Sequence, residues 1–300
     1  MRVLYMPNGE RLREQPPWGG DFFLEAMQKY NPDIEIEPAY RLRCPDDVDV
    51  LWLHNVATCG YRRIIGPVKD RPLRRYFRRR NRPAIIGGVR GEVGFNHSFN
   101  QLPYLDAVHT SNEALARKSR MWNRRVFVLS AGVDVDQFKP GGEAPDRFVI
   151  GWAGDPKKRM KNFKLICRLG LPYYLATKDI YWPHGDMPLF YNSLSAYTHF
   201  SSHEGSNRTI LEAAACGVPI VCTDVGSAGL LVGDEWRIPY TDDHAALVEE
   251  FKRRLGRLEA DPGLCARVGE ENRVRAQAFS WGAVAERWRG IVHSVVESRD

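Results

Sequence analysis

The sequence predicts an α/β protein with two doubly wound parallel sheets in tandem. Short apolar runs alternate with amphipathic helical stretches, and this alternation restarts after residues 140–146, where two glycines and two prolines occur in seven residues. Alternating strands and helices form parallel sheets that are covered on both faces. Because 300 residues exceed the size at which one hydrophobic core usually stops growing, we predict a first domain over residues 1–142, a second over 143–280 and a C-terminal helix over 281–300.

In the first half of the chain, the predicted strands are short apolar runs bounded by turn residues. They lie at Met1–Met6, Val48–Leu53, Ala84–Ile86, Ala107–Thr110 and Arg125–Leu129. Apolar residues at helical spacing predict one helix near residues 22–30 and another in which Leu73, Tyr76 and Phe77 share a face. These elements predict the first doubly wound sheet.

The second half repeats this rhythm. Its predicted strands are Arg147–Trp152, Tyr173–Ala176, Ala196–Phe200 and Pro219–Cys222. Its predicted helices are Asn162–Gly170, Leu189–Leu194, Arg208–Cys216, Ala245–Leu255 and Trp281–Val296. Ligands of doubly wound folds bind beyond the carboxyl ends of the strands, so two facing sheets of this kind would enclose a cleft.

The composition excludes several classes of protein. With 43% hydrophobic and 27% charged residues, the chain matches an average globular protein rather than a disordered or collagen-like one. No apolar run approaches the length of about 18 residues that a transmembrane helix needs, and the apolar start is too short for a secretory signal. The six cysteines have no metal-ligand spacing and are interpreted as reduced, mostly buried thiols. We therefore expect a cytoplasmic protein.

The excess of positive over negative charge lies entirely in the first half. Residues 1–140 contain 23 Lys and Arg against 16 Asp and Glu, whereas residues 141–300 contain 20 against 21. Ten basic residues lie between Arg62 and Arg82, where Asp70 is the only acidic one. This asymmetry predicts either an anionic partner, such as nucleic acid, a membrane surface or a polyanionic substrate, or a helix with a solvated basic face.

The stretch from Ser201 to Pro219 contains the residues predicted to bind a ligand. It follows a predicted strand, turns at Gly205 and continues as a helix, whose first N–H groups and positive dipole end form a site for phosphate. Glu204 precedes this helix, and Glu212 lies roughly two turns further along it. Acceptor groups on both sides of a phosphate site suit a nucleotide sugar, although charged helix faces also produce such glutamate pairs.

This stretch resembles a known family. Glu204-x7-Glu212, followed by Ala213–Gly226, is similar to the E-x7-E signature of glycosyltransferase family 4. Further segments that resemble the family are Trp18–Gly20, Asp106–Leu115, Leu129–Pro140, Ile150–Gly154, Lys161–Leu165 and Phe279–Trp288. The resemblance implies the GT-B fold, which has two facing Rossmann-like domains and a C-terminal helix that crosses back to the first.

The resemblance also implies an activity and a set of site residues. The expected enzyme is a retaining, metal-independent glycosyltransferase that uses a UDP- or GDP-sugar and needs no cofactor. Glu204 would bind hydroxyls of the donor sugar, and Lys161 would neutralise the leaving diphosphate. The implied donor-binding residues are Glu212 at the ribose, the backbone N–H groups of Gly205, Ser206 and Asn207, and the close backbone approach of Gly19 and Gly20.

Three positions depart from the family pattern. Ala153-Gly154 stands where the family usually has an arginine, so Lys157, Lys158 or Arg159 would supply that charge. Arg90-Gly91 replaces the family's His-Gly, which makes Arg90 a candidate acceptor-binding residue. Leu230 occupies the place of a frequent glutamate.

The acceptor is left open between several classes. Arg74, Arg75, Arg78 and Arg79 are predicted to bind a polyanionic acceptor, because guanidinium groups suit bidentate phosphate contacts. A glycan or lipid-linked saccharide, with docking at the inner membrane face, is favoured over a hydroxymethylated base in DNA and a small molecule. An alternative of another class is a non-catalytic GT-B-like module that binds polyanions.

The sequence also contains, or lacks, motifs typical of metal sites and of other enzyme classes. The pairs Asp47/Asp49 and Asp134/Asp136 match a metal-binding D-x-D but are interpreted as loop or cap residues, so no metal site is expected. The absence of G-x-S-x-G, P-loop and G-x-G-x-x-G motifs argues against hydrolases, NTPases and dinucleotide enzymes. For five side chains the sequence does not decide between a role in the binding site and packing in the core. They are His54, His203, Trp152, Tyr181 and Trp182.

Overall fold

A computed structural model describes residues 1–7, 19–40, 46–57, 79, 81–142 and 145–299. The chain divides into two compact units, Met1–Ala131 with Trp281–Asp300 and Gly132–Ser280. Each unit contains its own parallel sheet, of six and five strands respectively. The predicted α/β class with two parallel sheets is therefore confirmed.

The sheet of the first unit has the order β2-β1-β3-β4-β5-β6. Its strands are β1 (Arg2–Met6), β2 (Glu35–Pro38), β3 (Val50–Leu53), β4 (Ala84–Val89), β5 (Ala107–Thr110) and β6 (Val126–Val128). The central strands β3, β4 and β5 are buried along their whole length, as expected when helices cover both faces. Strand β2 was not predicted because it lies at the sheet edge and buries only Ile36 well.

The described residues of the first unit also form three helices before its last strand. They are α1 (Gly19–Tyr30), α2 (Glu92–Ser98) and α3 (Glu113–Arg120), and a 3-10 helix (Phe99–Tyr104) joins α2 to β5. The Asn112 side chain caps α3 by accepting a hydrogen bond from the Leu115 N–H at 2.9 Å. The predicted helix around Leu73, Tyr76 and Phe77 lies outside the described residues.

The sheet of the second unit has the order β11-β10-β9-β7-β8. Its strands are β7 (Ile150–Ala153), β8 (Tyr173–Ala176), β9 (Ala196–His199), β10 (Ile220–Thr223) and β11 (Arg237–Ile238). Its helices are α4 (Met187–Asn192), α5 (Arg208–Ala215), α6 (Ala228–Leu231), α7 (His244–Ala260) and α8 (Pro262–Gln277), with 3-10 helices at Arg159–Lys161, Phe163–Leu169, His184–Asp186 and Asp234–Trp236. The segment predicted as a helix from Asn162 is thus a 3-10 helix, which starts after Asn162 adopts a left-handed φ of 46°.

Residues 132–142 pack with the second unit, whereas the sequence placed the division after residue 142. The Val133 N–H donates to the Phe279 carbonyl at 2.9 Å, and Phe138 is buried in the core of the second unit. Asn192 donates from Nδ2 to the Lys139 carbonyl at 3.0 Å. These contacts, which are remote in sequence, move the boundary to Ala131.

The last helix, α9 (Trp281–Glu297), belongs to the first unit. Val284, Trp288 and Val292 are buried in the same core cluster as Phe23 of α1. Among the described residues, no helix combines the length and the apolar character needed to cross a membrane. Of the cysteines in the described ranges, Cys216 and Cys222 are buried, Cys265 is half-buried and Cys167 is exposed.

Candidate functional site

Lys161 and Glu204 meet near the carboxyl ends of β7 and β9. The Lys161 Nζ lies 2.5 Å from the Glu204 Oε1, and only 16% and 12% of the two side chains are exposed. The two residues are 43 positions apart in sequence. Two of the predicted catalytic residues therefore form one largely buried ion pair.

The backbone around Lys161 is held in place by two hydrogen bonds to the loop that carries Glu204. Asn162 donates from Nδ2 to the Phe200 carbonyl at 2.9 Å. The Ser202 N–H donates to the Met160 carbonyl, also at 2.9 Å. Because each bond joins the turn at residues 159–162 to the segment that follows β9, the backbone position of Lys161 does not depend on its contact with Glu204 alone.

Two further donors surround the Glu204 carboxylate. Ser201 Oγ donates to Oε1 at 2.8 Å, and His199 Nε2 lies 3.4 Å from the same oxygen. Burial by itself raises the pKa of Glu204, but the hydrogen bond from His199 and the charge of Lys161 outweigh it and lower that pKa to about 2. Glu204 is therefore an anion throughout the physiological pH range.

Glu212 lies on α5 in a second polar cluster. Tyr191 donates to its Oε2 at 2.9 Å, and Arg208 donates to its Oε1 at 3.1 Å. His184 Nε2 lies 3.6 Å from Oε1. Burial opposes ionisation, but the Arg208 charge and the hydrogen bonds prevail and lower the pKa of Glu212. The carboxylate is thus charged and held on one face of the helix.

The turn before α5 is tied to the loop after β10. The Ser227 N–H donates to Asn207 Oδ1 at 2.8 Å, and the Asn207 N–H donates to Ser227 Oγ at 3.1 Å. The backbone N–H of Asn207, predicted to bind a phosphate, is therefore already engaged in this structure. Asn207 Nδ2 is buried and has no hydrogen-bond partner among the described residues. The roles predicted for Gly205 and Ser206, which precede it in the same turn, stay predictions.

Gly226 makes this close packing possible. Its φ is +65°, and a Cβ would lie 2.3 Å from Asn207 Oδ1 and 2.7 Å from the Gly205 carbonyl oxygen. We expect Gly226→Ala to lower the free energy of unfolding by about 2–4 kcal/mol, from backbone strain and overpacking. Denaturant unfolding measures this change.

The matched control is Gly256→Ala. Gly256 lies within the exposed face of α7 and has no atoms within 4 Å of the added methyl group. This substitution is expected to stabilise the protein by about 0.5–1 kcal/mol, because alanine favours a helix interior. Equal stability of the two variants would contradict the packing assigned to Gly226.

Three predicted donor-binding cations lie beyond the end of β7. Lys157, Lys158 and Arg159 are exposed, so their role stays a prediction. Gly154 has a φ of +154°, and a Cβ there would lie 3.1 Å from the Trp152 ring. This close approach gives a physical reason for glycine at a position near the family's arginine.

The predicted residues of the first unit lie on β1, α1 and the end of β4. Tyr5 Oη lies 2.9 Å from the Gly20 carbonyl, to which it donates, and 2.8 Å from His54 Nδ1, while Gly19 begins α1. Arg90 donates to the Leu129 carbonyl at 2.8 Å, and burial lowers its pKa to about 10, so it stays charged at neutral pH.

The predicted basic surface is described at one position. Arg79 is exposed and pairs with Asp46 Oδ1 at 3.3 Å. Arg74, Arg75 and Arg78 lie outside the described residues, so a shared acceptor surface stays a prediction.

The D-x-D residues serve local structure, in agreement with their interpretation as loop residues. Asp134 Oδ1 accepts the N–H groups of Asp136 and Gln137 at 3.0 and 3.1 Å. Trp152 is fully buried, so the option of base stacking is wrong for this residue. Trp182 packs against Phe190, with ring centroids 5.6 Å apart.

The sequence analysis missed five side chains that bind the two glutamates. They are His184, Tyr191, His199, Ser201 and Arg208. His199 and Ser201 end a strand directly before Glu204, which is a signal that could have found them. His184 and Tyr191 come from a separate helix region, where no local pattern marks them.

Part of the second unit is similar to known proteins. The sequence model of the family described as "Glycosyl transferases group 1" matches residues 143–257. The chain is 28% identical over 150 residues to a D-inositol 3-phosphate glycosyltransferase of Streptomyces bingchenggensis, which covers 47% of this chain and 31% of that protein. It is 37% identical over 101 residues to O-antigen chain mannosyltransferase B of Escherichia coli, covering 34% and 26%. The matches thus span less than a third of each relative.

Solved structures extend the similarity to both units. Sucrose-phosphate synthase from Thermosynechococcus elongatus superposes with a TM-score of 0.72 at 14% identity, covering 99% of each chain. Anabaena Alr3699/HepE, solved in complex with UDP-glucose, superposes with a TM-score of 0.67 at 12% identity, covering 99% of this chain and 100% of that one. At these identities the likeness shows the fold, and the predicted GT-B fold is confirmed. The family match over residues 143–257 lies within the second unit and includes Glu204 and Glu212, the residues on which the resemblance to glycosyltransferases rests.

Proposed function

We propose that this chain transfers a sugar from a nucleotide-diphosphate sugar to an acceptor hydroxyl, with retention of configuration and without a metal ion. The observation that carries the proposal is the buried ion pair of Lys161 and Glu204. It lies where ligands bind in doubly wound folds, beyond the carboxyl ends of the strands. It also lies next to the start of α5, whose first N–H groups favour a phosphate.

The two charges have complementary tasks in this reaction. As the bond between the sugar and the diphosphate breaks, negative charge develops on the leaving phosphate, and the Lys161 ammonium stabilises it without a metal ion. Glu204 accepts hydrogen bonds from sugar hydroxyls and orients the ring. Because both groups are largely shielded from water, their electrostatic effect on the reacting atoms exceeds that of exposed charges.

Glu212 is proposed to bind the ribose hydroxyls. An ionised carboxylate offers about four lone-pair positions. Tyr191 and Arg208 each donate one hydrogen bond to the carboxylate. Acceptor capacity therefore remains for a ribose hydroxyl, and the low pKa of Glu212 keeps it a pure acceptor.

The nucleotide and the acceptor are proposed as classes. The Anabaena neighbour binds UDP-glucose and the E. coli relative is a mannosyltransferase of O-antigen chains, so UDP- and GDP-sugars are the donors to test. A glycan or lipid-linked saccharide is the proposed acceptor. Arg90, which follows β4, is a half-buried cation suited to an anionic group on such an acceptor.

The test is calorimetric titration with UDP, GDP and their sugars, followed by turnover in excess EDTA. We expect one nucleotide class to bind and its sugar to be transferred or hydrolysed in EDTA, with NMR showing the same anomeric configuration in donor and product. Strict dependence on Mg²⁺ or Mn²⁺ would contradict the metal-independent mechanism. Binding without any turnover would favour a non-catalytic module.

A further inference from the structure

The contacts that the protein makes with the Glu204 carboxylate go to one of its two oxygens. Among the described residues, the donors recorded on it, Lys161 Nζ, Ser201 Oγ and His199 Nε2, all approach Oε1. Within the described part of the chain, Oε2 accepts no hydrogen bond, and this atom is not fully buried. Three donors nearly saturate one carboxylate oxygen, so the other oxygen carries the remaining acceptor capacity.

The hydrogen positions follow from the donor inventory. Ser201 has one hydroxyl hydrogen and donates it to Glu204, so the contact of 3.2 Å between Ser201 Oγ and His199 Nε2 requires the hydrogen on the imidazole. The Nε2–H therefore lies between Ser201 Oγ and, at 3.4 Å, Glu204 Oε1, and the two oxygens share it. His199 is therefore the Nε2–H tautomer. Its Nδ1 is buried and has no hydrogen-bond partner in the described ranges. Burial is the main cause that lowers the pKa of His199, and it keeps the ring neutral.

The backbone fixes both donors independently of Glu204. His199 ends β9 and pairs in register with Cys222 of β10. Thr223 Oγ1 donates to the Ser201 carbonyl at 2.6 Å. The two donors thus stand on a sheet edge whose geometry is set by strand pairing.

We propose that His199 and Ser201 are positioning residues that hold Oε1 of Glu204 and leave Oε2 as the oxygen that accepts a donor-sugar hydroxyl. This inference rests on the proposed function of Glu204 and adds how one of its two oxygens is selected. Without the imidazole donor, the carboxylate would rotate and share both oxygens between Lys161 and the sugar.

The test compares His199→Leu with His199→Gln. Leucine removes the donor from a fully buried site, whereas the glutamine amide places an N–H near the position of Nε2. We expect His199→Leu to lower kcat/KM for the donor about tenfold or more, the scale of a hydrogen bond to a charged group. His199→Gln should recover most of this loss.

The pH dependence separates positioning from packing. The titratable groups recorded as facing Glu204 are Lys161, His199 and Tyr197. With the imidazole gone and the burial unchanged, the pKa of Glu204 rises, so the leucine variant loses activity as the pH falls through a range in which the wild type is still active. Carbon-13 NMR of labelled glutamate carboxyls measures the same pKa without any turnover.

The control variant is His203→Leu. His203→Leu removes a neighbouring imidazole whose Nδ1 contacts Ser202 Oγ at 3.0 Å, and it should leave the Glu204 pKa unchanged. An unshifted pKa in His199→Leu, or equal losses in the leucine and glutamine variants, would overturn the inference. If the wild type turned over no nucleotide sugar, the proposed function would fail, while the NMR titration would still decide whether His199 controls Glu204.

Discussion

Replacing Lys161 with alanine is expected to slow sugar transfer by a factor of about 10²–10³, the scale observed when a buried donor to a developing negative charge is removed. The ammonium lies in a largely buried pair with Glu204, so water cannot substitute for it effectively. The turn that carries it is held by Asn162 and Met160, so the backbone should keep its position in the variant. Steady-state kinetics with the donor identified by calorimetry measure the change.

Lys164→Ala is the matched control for this variant. Lys164 lies three residues further along and is exposed. Exposed substitutions usually change stability by no more than about 0.5 kcal/mol, so this variant should fold normally and keep a rate within about twofold of the wild type. A Lys161→Ala enzyme with near-normal kcat would remove the basis for placing the leaving diphosphate at this lysine.

The second large effect is expected from Glu204→Gln, with a loss of transfer of about 10²-fold. Glutamine keeps the shape of the side chain but removes the charge that binds Lys161 and the sugar hydroxyls, and hydrogen bonds to charged groups are worth about 1.5–3 kcal/mol. Kinetics should show the loss mainly in kcat/KM for the donor. Glu249→Gln, at an exposed position of α7, should keep wild-type kinetics.

The same variant has a pH-dependent effect on stability. The folded-state pKa of Glu204 lies below its ordinary value of 4.5, at about 2, so the ionised carboxylate stabilises the fold above pH 4.5 and loses this effect as the pH falls toward 2. The difference in unfolding free energy between wild type and Glu204→Gln should therefore shrink on acidification. A constant difference from pH 4.5 down to pH 2 would show that Glu204 does not titrate as described.

Secondary structure was predicted best where the chain is buried on both sides. The apolar runs predicted both ends of β1, β3, β9 and β10 to within two residues. Strand β11 and helix α8 were not predicted, since β11 has two residues and α8 buries a short mixed set that includes Gly269 and Asn272. Such elements are stabilised by packing against other parts of the fold, and the local sequence pattern does not reveal those contacts.

Two glycines show the same difference between what local sequence predicts and what tertiary contacts require. Gly205 was predicted to turn the chain into α5 from its place between a strand and a helix. The demand for glycine at position 226 comes instead from Asn207 and Glu204, whose atoms a Cβ would meet at 2.3 and 2.8 Å. Those contacts bring together segments about 20 residues apart.

Local sequence alone determined where Glu204 and Glu212 lie, because a strand, a turn glycine and a helix start place the first before α5 and the second on it. Their proposed roles at a phosphate-binding helix end follow from the same local pattern. Tertiary structure decided what each carboxylate binds within the protein. Lys161 reaches Glu204 across 43 residues, Tyr191 reaches Glu212 across 21, and the pKa values of both glutamates follow from these partners and from burial. Charge and hydrogen bonding act over a few ångströms in space, and distance along the chain does not set that separation.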